Sequence, residues 1–300
     1  MTVVVTGGTG FLGRRLVARL RQAGHEAVVL SRGRAPATLP SGTRIVPWQG
    51  EDTGWEGVVE GAHAVVNLAG ENVAQRWTAA ARKRIEASRV GSTRRLVGAI
   101  AAARRRPSVL VSSSAVGYYG ARDDETLTED SSPGDDFLAR TIRAWEEAAM
   151  EAEGLGVRVV RIRTGFVLAG DGGALSKMLP AFRAFVGGPV GSGSQWLSWI
   201  HWEDLIEIFF FTLFGTGVSG PLNGTAPAPV RNRDFAAALG KALHRPALVP
   251  APSMALKLLF GEMATMILTG QRVVPSRALA LGFRFRFPEI GDALGDLFTG

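Results

Sequence analysis

The opening thirty residues constrain this chain more than any other stretch. Val3-Val4-Val5 is a β-branched run of the kind that fills a strand buried on both faces of a parallel sheet. Glycines follow at once at 7, 10 and 13. From Phe11 to about Ala23 the spacing predicts a helix, with Leu12, Leu16, Val17 and Leu20 beside Phe11 on one face and Arg14, Arg15, Arg19 and Arg21 on the other. Gly24 closes it, and Ala27–Leu30 supplies a second strand. Strand, glycine turn, helix and strand together form a unit whose helix N-terminus offers free amides and a positive dipole end to phosphates. In such a unit Gly7 permits the tight turn, Gly10 lets the backbone approach a pyrophosphate, and Gly13 lets the helix pack on the strand. The second strand ends Ser31-Arg32-Gly33-Arg34, with no acid to hold a ribose 2′-hydroxyl. An arginine there pairs with a 2′-phosphate, so the expected cofactor is NADP(H) rather than NAD(H).

Composition narrows the partners. The chain has 300 residues, 46% hydrophobic and 20% charged, enough for one large α/β domain or a domain and a half. It has no cysteine, which excludes disulfides and thiolate metal sites, and no metal is expected. A core strand directly after Met1 leaves no room for a signal peptide, so a cytoplasmic location is expected. The apolar stretch Leu205–Phe214 is too short to span a bilayer, and Met254–Leu268 carries Lys257 and Glu262; no membrane segment is expected. The net charge of +7 is mostly scattered arginine, with Arg104-Arg105-Arg106 the one run of three. That run closes a helix before Pro107, where cations suit the dipole, and nucleic acid is not an expected partner. What remains is a small-molecule substrate, with the chain a monomer or homodimer.

Further along, strands are expected at Arg44–Trp48, Ala64–Leu68, Ser108–Ser112 and Val157–Ile162. Helices are expected within Trp77–Ala103 and over Phe137–Glu153, the latter with Ile142, Trp145 and Met150 on its apolar side. This alternation predicts an α/β fold with a doubly wound parallel sheet. After Gly165 the rhythm changes: a Gly170–Gly173 turn, a helix through Met178, Leu179, Phe182 and Phe185, a loop over 187–194, and a helix ending at Phe214. Leu222-Asn223-Gly224 starts another strand, and Arg245–Pro252 reads as an extended crossing.

Thr6-Gly-Gly-Thr-Gly-Phe-Leu-Gly13 resembles the opening pattern of the extended short-chain dehydrogenase/reductase superfamily. Ser114-Ala-Val-Gly-Tyr-Tyr-Gly120, the Gly170–Gly173 turn, Gly191-Ser-Gly with Gln195, Ser198-Trp-Ile-His201, Gln271-Arg-Val and Gly282-Phe-x-Phe narrow this further. They are similar to the atypical "epimerase family" of sugar-nucleotide-epimerase-like proteins, some labelled cell-division inhibitor. The resemblance implies a Rossmann domain of residues 1–165 plus about 200–224, and a small split substrate domain of about 166–199 and 225–300. It also implies a cofactor surface of Gly7, Thr9, Gly10, Phe11, Leu12, Gly13, Ser31 and Arg32, with Leu68-Ala69-Gly70, Ser112 and Arg163 completing it.

Working members of that superfamily use a serine on the fifth strand with a Tyr-x-x-x-Lys pair. Ser114 matches the serine. The pair cannot exist here: the only tyrosines are Tyr118 and Tyr119, followed four residues on by Arg122 and Asp123. The helix that should carry it begins Phe137-Leu-Ala-Arg140, so Arg140 or Arg143 supplies at most a fixed charge. Tyr118 or Tyr119 reads equally as a proton donor or a packing aromatic, whereas His201 reads first as a structural histidine bonding backbone and second as a titrating group. Glu203 and Asp204 are expected to cap the helix that follows. Gln195, Trp196, Ser198 and Trp199 suggest a flat aromatic substrate pocket. The leading expectation is an NADP(H)-dependent oxidoreductase or epimerase acting on a small hydroxyl, carbonyl or nucleotide-sugar compound. The alternative is a non-catalytic NADP(H)-binding regulator that has lost the proton relay.

Overall fold

The valine run forms β1 (Thr2–Thr6), in the interior of a seven-stranded sheet. The computed structural model describes residues 1–33, 39–48, 54–215 and 217–298. With strands numbered along the chain, β2 (Glu26–Ser31) and β3 (Arg44–Pro47) lie to one side of β1. To the other side lie β4 (Ala64–Asn67), β5 (Val109–Ala115), β7 (Arg158–Thr164) and β11 (Gly220–Gly224). Every pairing in this sheet is parallel. The order therefore reverses direction between β1 and β4, the point at which open α/β sheets leave a crevice at the carboxyl ends of their strands.

Side-chain alternation sends neighbouring valines to opposite faces. Val3 and Val5 pack with α1 (Phe11–Gln22) and α6 (Trp202–Phe214) through Leu16, Leu20, Leu205 and Phe209. Val4 packs on the other face with Leu96 and Ile100 of α3 (Ser92–Ala102) and Ala149 of α4 (Phe137–Met150). Each such side chain, fully removed from water, stabilises the fold by about 1.5–3 kcal/mol.

A third cluster lies apart from the sheet. Trp199, Phe235, Leu239, Phe182 and Leu294 bring together α5 (Leu175–Arg183), α7 (Asn232–Ala242) and the C-terminal α11 (Ile290–Phe298). Short strand pairs tie this region to the rest: β6 (Thr126–Leu127) with β13 (Arg272–Val273), β8 (Phe166–Leu168) with β10 (Trp199–His201), and β9 (Trp196–Leu197) with β12 (Val230–Arg231). Between them run α8 (Ser253–Phe260), α9 (Ala264–Leu268) and α10 (Ser276–Ala280).

Details of the helices depart from expectation. Trp77–Ala103 becomes α2 (Ala79–Glu86), a π-helical turn over Ala87–Gly91, and α3. Met150, expected on the apolar side of α4, is exposed at the helix end, while Ile142 and Trp145 are buried as expected. Phe185 lies beyond α5 with φ of 63° and is exposed, because α5 ends at Arg183. Among the described residues no helix is long and apolar enough to cross a membrane.

Candidate functional site

The crevice between β1 and β4 is floored by the glycine turn. Gly7 takes φ of 65°, and a β-carbon there would stand 2.8 Å from the Leu68 carbonyl oxygen. The Gly10 amide donates to the Gly7 carbonyl at 2.9 Å and closes the turn. A β-carbon on Gly13 would lie 2.2 Å from that same carbonyl, so only glycine lets α1 sit this close to β1. At Gly10 an added β-carbon would meet only the Gly7 oxygen, at 3.2 Å, and otherwise open space. No side chain caps α1, whose N-cap is Gly10 and whose first turn holds no acid. Its first amides thus keep their hydrogen-bonding capacity for a ligand. Phe11 turns aside and covers Gly172 and Gly173, whose missing side chains leave room for its ring. These residues fit a dinucleotide's phosphates: the backbone is close, the donors are free and the field is positive.

The opposite wall is fixed to β1 by Thr6. Its hydroxyl donates to Asn67 Oδ1 at 2.8 Å and accepts the Leu68 and Ala69 amides at 3.2 and 3.3 Å. Asn67 Nδ2 donates to Thr93 at 2.7 Å and to Ser112 at 3.4 Å. Ser112 is 1% exposed, so its hydroxyl braces the floor beneath Leu68–Gly70. At the end of β2, Ser31 is buried and accepts the Gly33 amide, while Arg32 is exposed. Arg34 lies outside the described residues.

Next to this open crevice, past the end of β5, the polar side chains are saturated with one another. Ser114 Oγ donates to Glu146 Oε1 at 2.6 Å. Arg163 donates to both Glu146 oxygens, at 2.8 and 2.9 Å, and to the Tyr119 hydroxyl at 3.0 Å. Tyr119 donates in turn to Asn223 Oδ1 at 2.7 Å, and Asn223 Nδ2 to the Val274 carbonyl. Tyr119 is fully buried, and burial pushes its pKa up to about 12. Burial opposes the charge on Arg163, but its bonds to Glu146 outweigh that and hold its pKa above the arginine range. The Tyr119 hydroxyl and the Arg163 guanidinium are thus bonded to each other and to Asn223 and Glu146 within the protein. Tyr118 is only half-buried, with the Arg163 guanidinium 3.5 Å from its ring centroid.

Arg140 and Arg143 are exposed on α4 and engage the Asp135 carbonyl and Glu147. The cation beside the tyrosines is Arg163. Sequence reading missed Glu146 and Asn223. The available signal was a glutamate on the apolar face of α4, one residue after Trp145, opposite alternating arginines on β7.

The other expected site residues divide. His201 is fully buried: its Nδ1 accepts the Glu203 amide as the cap of α6, and its ring packs on Phe287 at 4.1 Å. Burial pushes its pKa down to about 4 against the opposing charge of Asp296, so the neutral ring is a structural group. The helix cap is thus His201, not Glu203 or Asp204; the Asp204 carboxylate instead accepts the amides of Arg286 and Phe287. Trp199 is buried, with its Nε1 on the Ala228 carbonyl, and Ser198 bridges Gln271 and Val273. Gln195 donates to the carbonyls of Val190 and Ile267. Of that set only Gln195 and Trp196 line a cavity, of about 590 Å³, with Asp124, Arg231 and Arg233. The Trp196 ring carries Arg231 at 4.1 Å and Arg272 at 4.7 Å, and its Nε1 donates to Asp124. Among the described residues no cluster of His, Asp and Glu could hold a metal ion.

A doubly wound sheet with this glycine turn and a helical C-terminal module is shared with known proteins. Residues 3–216 match the model of the NAD dependent epimerase/dehydratase family, and the chain belongs to that family. Residues 251–297 match a second model, a domain of unknown function (DUF1731). Within the family the chain is similar to the chloroplastic epimerase family protein SDR39U1 homolog of Arabidopsis thaliana, 46% identical over 98% of this chain and 86% of that one. It is 38% identical to the epimerase family protein YfhF of Bacillus subtilis, over 100% and 98% of the two chains. The crystal structure of human SDR39U1 with NADPH superposes with a TM-score of 0.90 at 38% identity, covering both chains completely. UDP-glucuronic acid 4-epimerase of Bacillus cereus shares the fold, with a TM-score of 0.81 at 18% identity.

Proposed function

We propose that this protein binds NADP(H) in the crevice between β1 and β4 and acts on a small hydroxyl or carbonyl compound as an oxidoreductase or epimerase. The observation that carries the reading is the uncapped glycine turn: backbone open at Gly10, free amides at the start of α1, and no acid at the end of β2. The human relative, crystallised with NADPH, supports the same cofactor. Gly7, Gly10, Gly13, Thr9, Phe11 and Leu12 would hold the pyrophosphate side, Leu68-Ala69-Gly70 the opposite wall, and Ser31 with Arg32 the 2′-phosphate. When bound, the nicotinamide supplies a hydride donor or acceptor.

Proton handling falls to Tyr118. Ser114 and Tyr119 spend their hydroxyl hydrogens on Glu146 and Asn223, whereas Tyr118 is the half-buried tyrosine and has a permanent cation against its ring. The cavity beside Trp196 is lined by Arg231 and Arg233 together with Asp123 and Asp124, Arg231 being paired with Asp124, and suits a polar substrate, of which a nucleotide sugar is one class. A second reading rests on that same saturation: a cluster that has turned its serine and one tyrosine into structure suits a binding protein that no longer turns over. Mixing stoichiometric NADPH with a panel of carbonyl compounds, and NADP+ with a panel of hydroxyl and nucleotide-sugar compounds, separates the two. Loss or gain of the reduced nicotinamide's absorbance, or epimerised product, supports the enzyme; tight binding with neither supports the regulator.

A further inference from the structure

Phe185 occupies an unusual place. Its amide donates to the Phe182 carbonyl, and the Val186 amide reaches back to Ala181 at 3.0 Å, so Phe185 closes α5 with φ of 63°. Glycine ordinarily takes that position, because a side chain is strained there. Here the strained residue is a phenylalanine that is 56% exposed, with the Arg245 guanidinium 4.7 Å from its ring centroid. The strain thus presents an aromatic ring to solvent rather than to core.

The neighbouring segment repeats the pattern. The Val249 and Ala251 amides donate to the carbonyls of Gly187 and Pro189, and the Gly191 amide donates to Ala251, so 187–191 and 249–251 run together. From there the chain enters α8, none of whose residues is buried. Leu248, Met254, Leu258 and Leu259 are each between 67 and 82% exposed. On α8, Met254 and Leu258 are four residues apart, as are Ala255 and Leu259 beside them, so these exposed side chains form one apolar face. Phe260 turns the other way and packs with Trp77 and Met263. Large apolar side chains gathered in water in this way mark an interaction surface.

Charge selects the partner. Residues 172–202 and 235–261, which supply this surface, contain no aspartate or glutamate. Within them Lys177, Arg183, Lys241, Arg245 and Lys257 are exposed, and among the described residues none of the five is in an ion pair. The acids bounding the second segment are engaged, Asp234 with Arg233 and Glu262 with Arg82. A second copy laid on this surface about a two-fold axis would bring cations onto cations, with no acid of either segment to meet them. Apolar side chains among unpaired cations suit instead the headgroup boundary of a bilayer that carries anionic lipid, and lying there needs no spanning helix. We propose that Phe185, Val186, Leu248 and the apolar face of α8 dock this protein onto an anionic membrane surface, with Arg183, Arg245 and Lys257 meeting the lipid phosphates.

Co-flotation of the whole chain with vesicles of phosphatidylcholine, alone or mixed with phosphatidylglycerol, tests this. The expected result is binding to the mixed vesicles only, weakened by salt. Leu258→Gln with Leu259→Gln should lower the affinity roughly tenfold or more, since both lose their apolar burial. Arg183→Gln with Lys257→Gln should lower it roughly 10–30-fold, whereas Arg104→Gln with Arg106→Gln, the same charge removed beyond the end of α3, should change it little. Phe185→Gly relieves the strained turn, so it should keep or raise the melting temperature while weakening binding, a combination that a folding defect does not give. A wild type that floats with neither vesicle, or equally with both, overturns the proposal. So does binding that survives the two leucine changes, or an equal loss from both pairs of charge removals, which would make the attraction one of net charge. A chain that light scattering shows to be dimeric without lipid, and monomeric after the leucine changes, overturns it in favour of a second copy.

Discussion

Two polar regions sit side by side at the carboxyl edge of one sheet, and they are built in opposite ways. The glycine turn after β1 is made of backbone, is uncapped, and ends on open space at Gly10. The cluster after β5 is made of side chains, and Ser114, Tyr119, Arg163, Glu146 and Asn223 use one another as partners. Free donors define a place for a ligand, whereas satisfied ones define a piece of core. Ser114, the position that the resemblance gives to a catalytic serine, has its hydroxyl on Glu146.

The contrast can be broken first at Glu146. Glu146→Ala leaves the buried Arg163 and the half-buried Arg161 without this acid and should cost about 3–5 kcal/mol in chemical denaturation. A loss below 1 kcal/mol would mean the cluster is not a structural unit. The tyrosines should split along the same line. Tyr119→Phe should lose about 1–3 kcal/mol of stability, because it strands Asn223 and Arg163. Tyr118→Phe should keep the melting temperature and, on any substrate found, lower kcat by roughly 10²–10⁴-fold. The reverse pattern would exchange their roles.

His201 gives a pH readout. Its pKa falls from 6.5 to about 4 on folding, so the folded state favours the neutral ring. The stability tied to it is fully present above pH 6.5 and is lost as pH falls from 6.5 towards 4, by roughly 2–3 kcal/mol. His201→Asn, which keeps a capping side chain, should flatten that part of the stability profile. An unchanged slope would show that His201 is not the group responsible.

How much was legible in the sequence follows from this contrast. A strand, turn and helix in succession are local: the valine run, the glycine spacing and the arginine at the end of β2 can all be read within a window of thirty residues. The saturated cluster is assembled from β5, α4, β7 and β11, with up to 104 positions between bonded partners. No local pattern says that Ser114 will meet Glu146 or that Tyr119 will meet Asn223. The same holds for His201, Ser198 and Trp199, whose partners Phe287, Gln271 and Ala228 arrive from the C-terminal segment. One or two helices were expected within Trp77–Ala103, and the π-helical turn over Ala87–Gly91 that joins α2 to α3 has no residue signature.

The smallest of these effects tests the central claim most directly. Titration of the wild-type protein with NADPH and NADH should give NADPH at least about tenfold tighter, the yield of one charge-assisted pair between Arg32 and the 2′-phosphate. Gly10→Val, folded by its melting curve, serves as the control and should bind neither, since its side chain would occupy the phosphate's place. Equal affinities in the wild type, or normal NADPH binding by Gly10→Val, would contradict the account: the first its choice of cofactor, the second its site.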